Sequence, residues 1–356
     1  MDFALDDDQT LIVQTVRRFA DRELRSWAAD ADRAGAPPDK LATTAGGLGF
    51  FLDAVPAEAD GILEGSYSHV TRALRGFELG RGCAALAALL ETNVEPALAV
   101  GAWGTDAAKT AVFGSLAGGG LATSYFDSRG VLAITDEGKD VRITGKLGPI
   151  PALATASHVL VATGDLLAIV PLDGIAREAI VPSGWRAARW GIARLDAHRV
   201  PAEFILGRDG TAVARVLAWL RTNLAARAAG VAAAAMEYAE AYGKERIQFG
   251  QPIGNFESLI RLRDDSQTGV AAARLMAFHA AWSIDTNQPG ASDAASRARV
   301  LAGDVVSKAT IDGVQLYGGY GFVNDFPVEK LMRDARAFEA LYGDERLGRV
   351  LAAKAV

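Results

Sequence analysis

The sequence predicts a mainly helical protein with a central β domain between two helical regions. Three observations predict it. Apolar residues recur at helical spacing through the N-terminal third, the pattern then breaks into short β-prone pieces parted by Asp, Gly and Pro, and helical spacing returns after Thr211.

The first domain is read over residues 1–120. Ile12, Val16, Phe19 and Leu24 fall close to one helical face, and Asp8 is the expected N-cap of that helix. Gly47, Gly49, Pro56, Gly61 and Gly65 punctuate a loop-rich passage. The runs from Val70 to Leu90 and from Leu98 to Leu116 repeat the helical pattern until Gly118 to Gly120 interrupt it. The middle domain is read over residues 121–210, where VLAIT, DVRITG, HVLVATG and LLAIVPL suggest an antiparallel sheet or small barrel. Arg199-Val200-Pro201 and the Gly207 to Gly210 turn lead out of it.

The third domain is read over residues 211–356. Val213, Val216, Leu217 and Leu220 begin a long helix that extends into the alanine-rich AARAAGVAAAAMEYAEAYGKER, where Ala combines high helix propensity with a thin surface for another helix. A second helix runs from about Phe256 to Ile284, a third starts after TNQPGASDAAS, and a last helical section follows Pro327. Such lengths suit a four-helix bundle, whose apolar stripes are hidden only by mutual packing.

Composition narrows the function. Half of the 356 residues are apolar, enough for substantial cores and about two or three domains. Lys and Arg number 37 against 43 Asp and Glu, so no basic surface for nucleic acid is evident, although a local basic pocket for phosphates stays open. Cys83 is the only cysteine and cannot form an internal disulfide, so an inert apolar role is expected. No metal site is expected. Asp6, Asp7 and Asp8 stand where a secretory leader would carry positive charge, and the apolar stretches are interrupted before roughly 18 to 20 residues. Neither secretion nor a membrane span is expected, and the cytoplasm is the default location.

Four passages carry a resemblance: MDFALDDDQ, AYGKERIQFGQPIGNFESL, GVQLYGGYGF and DFPVEKLMRDARAFEALYGDERLGRV. Together with the domain order they resemble the acyl-CoA dehydrogenase family over nearly the whole chain. The resemblance implies that family's three-domain architecture and its flavin-dependent α,β-dehydrogenation of an acyl-CoA thioester. It also implies a place in lipid metabolism such as fatty acid oxidation, an oligomer with FAD shared between subunits, and an electron-transfer flavoprotein as partner. By that resemblance Arg246 approaches the diphosphate of a neighbour's flavin, with Gln248 and Phe249 adjoining it, and a guanidinium has the fork geometry to pair two phosphate oxygens. A helix-end arginine facing solvent is the plainer account of Arg246. Gln315, Gly318 and Gly319 match the segment touching the adenine end, where glycines let backbone N–H groups come close. Tyr317 and Tyr320 offer ring surface or ordinary packing. Arg333-Asp334 matches a step expected to fix the last helices through an ionic network, and Arg221 matches an arginine beside the substrate cavity, with salt bridging at the bundle surface as its alternative.

The family reaction needs a carboxylate to take the proton α to the thioester. Tyr342 stands at the usual position for that glutamate and Leu220 at the second arrangement's position, so the catalytic residue is left unassigned. Asp344 and Glu345 are near in sequence, but two or three residues along a helix or turn change direction sharply. LATSYFDSRG replaces the usual glycine-rich flavin loop, and Pro149 and Pro151 stand where tryptophan and threonine usually meet the flavin ring. These departures suggest either a specialised subunit of a heteromeric enzyme or a homomer with a relocated base. The alternative from another class is a noncatalytic assembly or acyl-CoA-binding subunit.

Overall fold

The computed structural model describes residues 4–342. Helix α1, Asp7–Phe19, starts from a capping box in which Asp6 Oδ1 accepts the Gln9 N–H at 2.7 Å and Gln9 Oε1 accepts the Asp6 N–H at 3.4 Å. The N-cap is therefore Asp6 and not Asp8, because only Asp6 has a glutamine at the third helical position to close the box. A π turn, Ala20–Leu24, leads into α2, Arg25–Ala34, which ends on Gly35 in the left-handed region, and α3 covers Leu41–Gly46.

The expected helical run from 70 to 90 is two helices, α4 His69–Gly82 and α5 Ala84–Leu90, parted at Cys83, whose φ of −164° is extended. Helices α6, Val94–Trp103, and α7, Asp106–Ala117, complete the N-terminal set, with Gly104 parting them.

Eight strands follow: β1 Ala122–Phe126, β2 Ala133–Glu137, β3 Asp140–Ile150, β4 His158–Thr163, β5 Leu166–Pro171, β6 Arg177–Ala179, β7 Gly191–Val200 and β8 Ile205–Gly207. They form two four-stranded sheets, ordered β1-β4-β5-β8 and β2-β3-β7-β6. One pairing departs from the antiparallel expectation: β1 runs parallel to β4, with Ala122 opposite His158 and Phe126 opposite Ala162. A parallel pair needs a long crossover, and β2 with β3 supplies it.

Helix α8, Thr211–Glu245, is the axis of the bundle and packs against α4, α9 (Glu257–Asp285), α10 (Ala291–Tyr317) and α11 (Pro327–Glu339). A short hairpin, β9 Ile247–Gln248 and β10 Gln251–Pro252, leads from α8 toward α9. Alanine and glycine let α4 lie close on α8. A Cβ at Gly230 would stand 2.0 Å from the Phe77 carbonyl oxygen, and one at Gly80 would stand 2.3 Å from that of Arg227. Among the described residues no helix is long and apolar enough to cross a membrane, and no group of His, Cys, Asp and Glu is placed to hold a metal.

Candidate functional site

The segments singled out in the sequence converge on two places. The first is the seam where the β domain meets the bundle. There Pro151, Ser124, Tyr342, Glu91, Glu95 and Arg227 surround a void of about 10 Å3, room for a single water-sized group. Thr123 Oγ1, on β1 beside Ser124, donates to the Pro151 carbonyl at 2.8 Å.

Of the two positions where the family usually places its base, Tyr342 lines this void. Leu220 is buried in the apolar cluster against which Tyr342 packs. Burial pushes the Tyr342 phenol up, the nearby charge of Glu95 adds to it, and the hydroxyl stays protonated at neutral pH. Asp344 and Glu345 lie outside the described residues.

The seam does hold carboxylates that the sequence reading missed. Arg72 grips Glu95 at both ends, Nη1 to Oε1 at 2.8 Å and Nη2 to Oε2 at 3.0 Å. Glu91 takes Arg75 Nε at 3.1 Å and Asn223 Nδ2 at 2.8 Å, with Arg227 Nε at 4.0 Å, and Arg75 also reaches Asp53 at 2.6 Å. Burial alone would raise the Glu91 carboxyl, but Arg75, Arg72 and Arg227 outweigh it and hold the group below its ordinary value. The available signal was charge interrupting apolar sequence: Glu91 and Glu95 stand four residues apart between apolar runs, at the end of α5 and the start of α6, and Arg227 lies in an alanine run. Ser124 Oγ, Trp185 Nε1 and Arg227 Nε line or adjoin the void without a hydrogen-bond partner, so its wall is polar.

Arg221 is buried and has no carboxylate partner among the described residues, which removes the surface salt-bridge account. Its Nε donates to the Tyr342 carbonyl at 3.2 Å and its Nη1 to Ser296 Oγ at 3.0 Å. Burial and the charge of Arg299 bring the guanidinium down to about 10. Arg333 and Asp334 do form a network, but not with each other. Arg333 pairs with Asp32 at 2.7 Å and Glu329 at 2.8 Å, while Asp334 accepts from Lys330 at 2.5 Å and from the Trp185 N–H at 2.7 Å, tying α11 to the β6–β7 connection.

The second place is the exposed end of the bundle. Arg246 caps α8, and its guanidinium lies over the Tyr320 ring at 5.6 Å, with no ion pair among the described residues. Gln248, Phe249, Gln315, Gly318 and Gly319 are exposed, Phe249 to 93%. Around Gly318 and Gly319 nothing lies within 4 Å of where a Cβ would stand, so their backbone is open to an approaching group. Tyr317 is spent on packing, stacked on Tyr242 at 4.2 Å, whereas Tyr320 and Phe322 remain accessible.

Comparison with known proteins decides the family. The model of the acyl-CoA dehydrogenase N-terminal domain matches residues 6–120, and that of the C-terminal domain matches residues 208–356. The chain belongs to the acyl-CoA dehydrogenase superfamily. It is 27% identical, over 99% of its length and 96% of the relative, to a Mycobacterium leprae protein named Probable acyl-CoA dehydrogenase fadE25. A chain in a structure of the electron transferring flavoprotein of Acidaminococcus fermentans matches all of it and 99% of that chain at 26% identity and a TM-score of 0.89. Butyryl-CoA dehydrogenase from Megasphaera elsdenii shares the fold at 24% identity and a TM-score of 0.88, covering all of this chain and 99% of that one.

An acyl-CoA dehydrogenase fold is a flavin oxidoreductase fold, and among the described residues the exposed end offers donors that suit the flavin while the seam does not. The exposed end supplies an unpaired guanidinium, an amide and an open glycine pair, a donor set suited to a dinucleotide. The seam does not fit a flavin ring. Its void is about 10 Å3, Pro149 and Pro151 offer neither N–H nor hydroxyl, and Thr123 is spent on a backbone carbonyl.

Proposed function

We propose that the chain takes part in flavin-dependent α,β-dehydrogenation of an acyl-CoA thioester as one subunit type of a heteromeric acyl-CoA dehydrogenase. In this reading Arg246, Gln248, Phe249, Gln315, Gly318 and Gly319 form a face for FAD held mainly by a partner, which also provides the carboxylate base. The observation that carries it is the mismatch between the two places: a free, exposed set of cofactor-matched residues, and a seam filled by the chain's own side chains. FAD supplies the acceptor for the hydride that leaves the β carbon. Arg246 offers two parallel N–H groups to a diphosphate, and Gln315 an amide that both donates and accepts. Phe249 and Tyr320 add ring surface that keeps water from that contact. The partner that would take electrons onward from the assembly is an electron-transfer flavoprotein.

The test is to purify the assembly through a tag on this chain and add acyl-CoA without oxygen. Bleaching of the flavin absorbance by an acyl-CoA, absent when the isolated chain is mixed with FAD and substrate, is the expected result. Full bleaching by the isolated chain would sink the heteromeric reading. A partner-containing assembly that never bleaches with any acyl-CoA would leave the noncatalytic assembly subunit in its place.

A further inference from the structure

We infer that the ion network of Asp53, Arg72, Arg75, Glu91, Glu95, Asn223 and Arg227 is a built-in plug standing where an acyl group would have to lie, so this chain's own cleft is shut to substrate. The inference rests on the superfamily reading of where that cleft is, and deepens the proposal by naming which cleft cannot turn over.

The position follows from Tyr342 and Pro151, which match the base and the ring contact and face the same void. Small-molecule sites usually enclose hundreds of cubic ångströms; on one side of the network Asp53, Arg72 and Arg75 line an open cleft of about 720 Å3 between α1 and α4, yet on the seam side, beside Glu91, Glu95 and Arg227, only about 10 Å3 is left. The filling is ionic rather than loose. Arg72, Arg75 and Arg227 face Asp53, Glu91 and Glu95 within 2.6 to 4.0 Å, so three cations meet three anions and no net charge is left to recruit a ligand. These groups come from α4, the Phe50–Val55 stretch, the α5–α6 seam and α8, and the network joins all of them.

The backbone holds the α8 side of the plug, Asn223 and Arg227, in place. A Cβ at Gly76 would stand 2.7 Å from Asn223 Oδ1, and the Gly80 and Gly230 contacts press α4 onto α8 at the level of Arg227. Swinging Asn223 and Arg227 aside would leave the buried Glu91 carboxylate with Arg75 alone, weakening a buried pair at a cost in free energy. An alkyl chain would fare no better, since Ser124 Oγ, Trp185 Nε1 and Arg227 Nε would face it unsatisfied. Nor is a proton acceptor free beside Tyr342 in the described seam, because Glu91 and Glu95 are both engaged by arginines.

A thiol placed in the void tests this without relying on activity. Ser124→Cys in the full chain is treated with a disulfide-exchange reagent, against the parent with its single buried Cys83 and a Ser183→Cys control on the exposed β6–β7 connection. The plug requires Ser124→Cys to react at least 100-fold slower than Ser183→Cys, with no change on adding an acyl-CoA. Reaction within tenfold of the control, or protection by acyl-CoA, overturns it. Should Ser124→Cys not fold, Ala88→Cys on the same wall serves. In the tagged assembly, Tyr342→Phe should leave kcat and KM within twofold, and a tenfold fall in kcat with flavin retained would overturn the plug as well. Failure of every acyl-CoA to bleach the assembly refutes the dehydrogenase reading instead, and the thiol rates still judge the plug.

Discussion

Replacing Arg246 with alanine separates cofactor binding from stability. The side chain is exposed, has no ion pair among the described residues, and lies with its guanidinium over the Tyr320 ring at 5.6 Å. A cation over an exposed ring contributes about 0.5–1 kcal/mol, so the folded chain should lose no more than that. A hydrogen bond from a charged group to phosphate contributes about 1.5–3 kcal/mol net, and its loss weakens binding roughly 10- to 150-fold. Arg246→Lys keeps the charge but not the fork and should fall between parent and alanine. The assay is titration of the flavin-stripped assembly with FAD, followed by flavin fluorescence, alongside thermal unfolding and size-exclusion chromatography. A dissociation constant within threefold of the parent, in an intact assembly, would refute the cofactor role of this arginine.

Three further outcomes follow from the packing. Glu91→Gln should cost about 3 kcal/mol in chemical unfolding, the low end for breaking a buried pair, because Arg75 keeps Asp53 at 2.6 Å; a loss under about 1 kcal/mol would contradict the network. Gly230→Ala should destabilise by about 1–3 kcal/mol despite alanine's better helix propensity, since its Cβ would stand 2.0 Å from the Phe77 carbonyl oxygen, whereas Gly114→Ala in α7, with open space around it, should gain about 0.5–1 kcal/mol; equal effects would deny the close helix contact. Burial, with Arg72 and Arg215 nearby, brings the His69 imidazole from 6.5 down to about 3. Between those values the unfolded chain binds the proton that the folded chain refuses, so stability falls as pH drops from 6.5 toward 3. His69→Leu should flatten that acid slope in unfolding experiments from pH 4 to 6.5, and an unchanged slope would show that His69 is not its source.

The helical frame was readable because its signals are local. Alanine propensity and apolar spacing marked α8 and α9 to within a few residues, and Pro327 marked the start of α11. Strand β1 escaped because ATSYF sits in a segment where only the missing flavin loop drew notice, and its parallel partner lies beyond a crossover. The N-cap was misplaced by two residues because three aspartates in a row are equivalent until Gln9 selects Asp6. At the candidate site, the resemblance singled out Tyr342, Leu220, Pro151 and Arg246, and a solvent-facing Arg246 was already one of its two readings; that Tyr342 and Pro151 face one void was not. The ion network was hidden for a different reason. Its partners are far apart in sequence, Glu91 and Asn223 by 132 residues, and single charges in apolar helices do not announce which others they meet.

The bare crossing of α4 and α8 also bears on biogenesis. The groove that receives Gly76 and Gly80 is made by residues more than a hundred positions later, so during synthesis α4 waits, with a flat glycine face, until α8 has left the ribosome. Such delayed closure slows folding and lengthens the time a sticky surface is uncovered. A fragment ending at residue 120 is thereby expected to be a chaperone client or to aggregate, although a family model counts it as a domain.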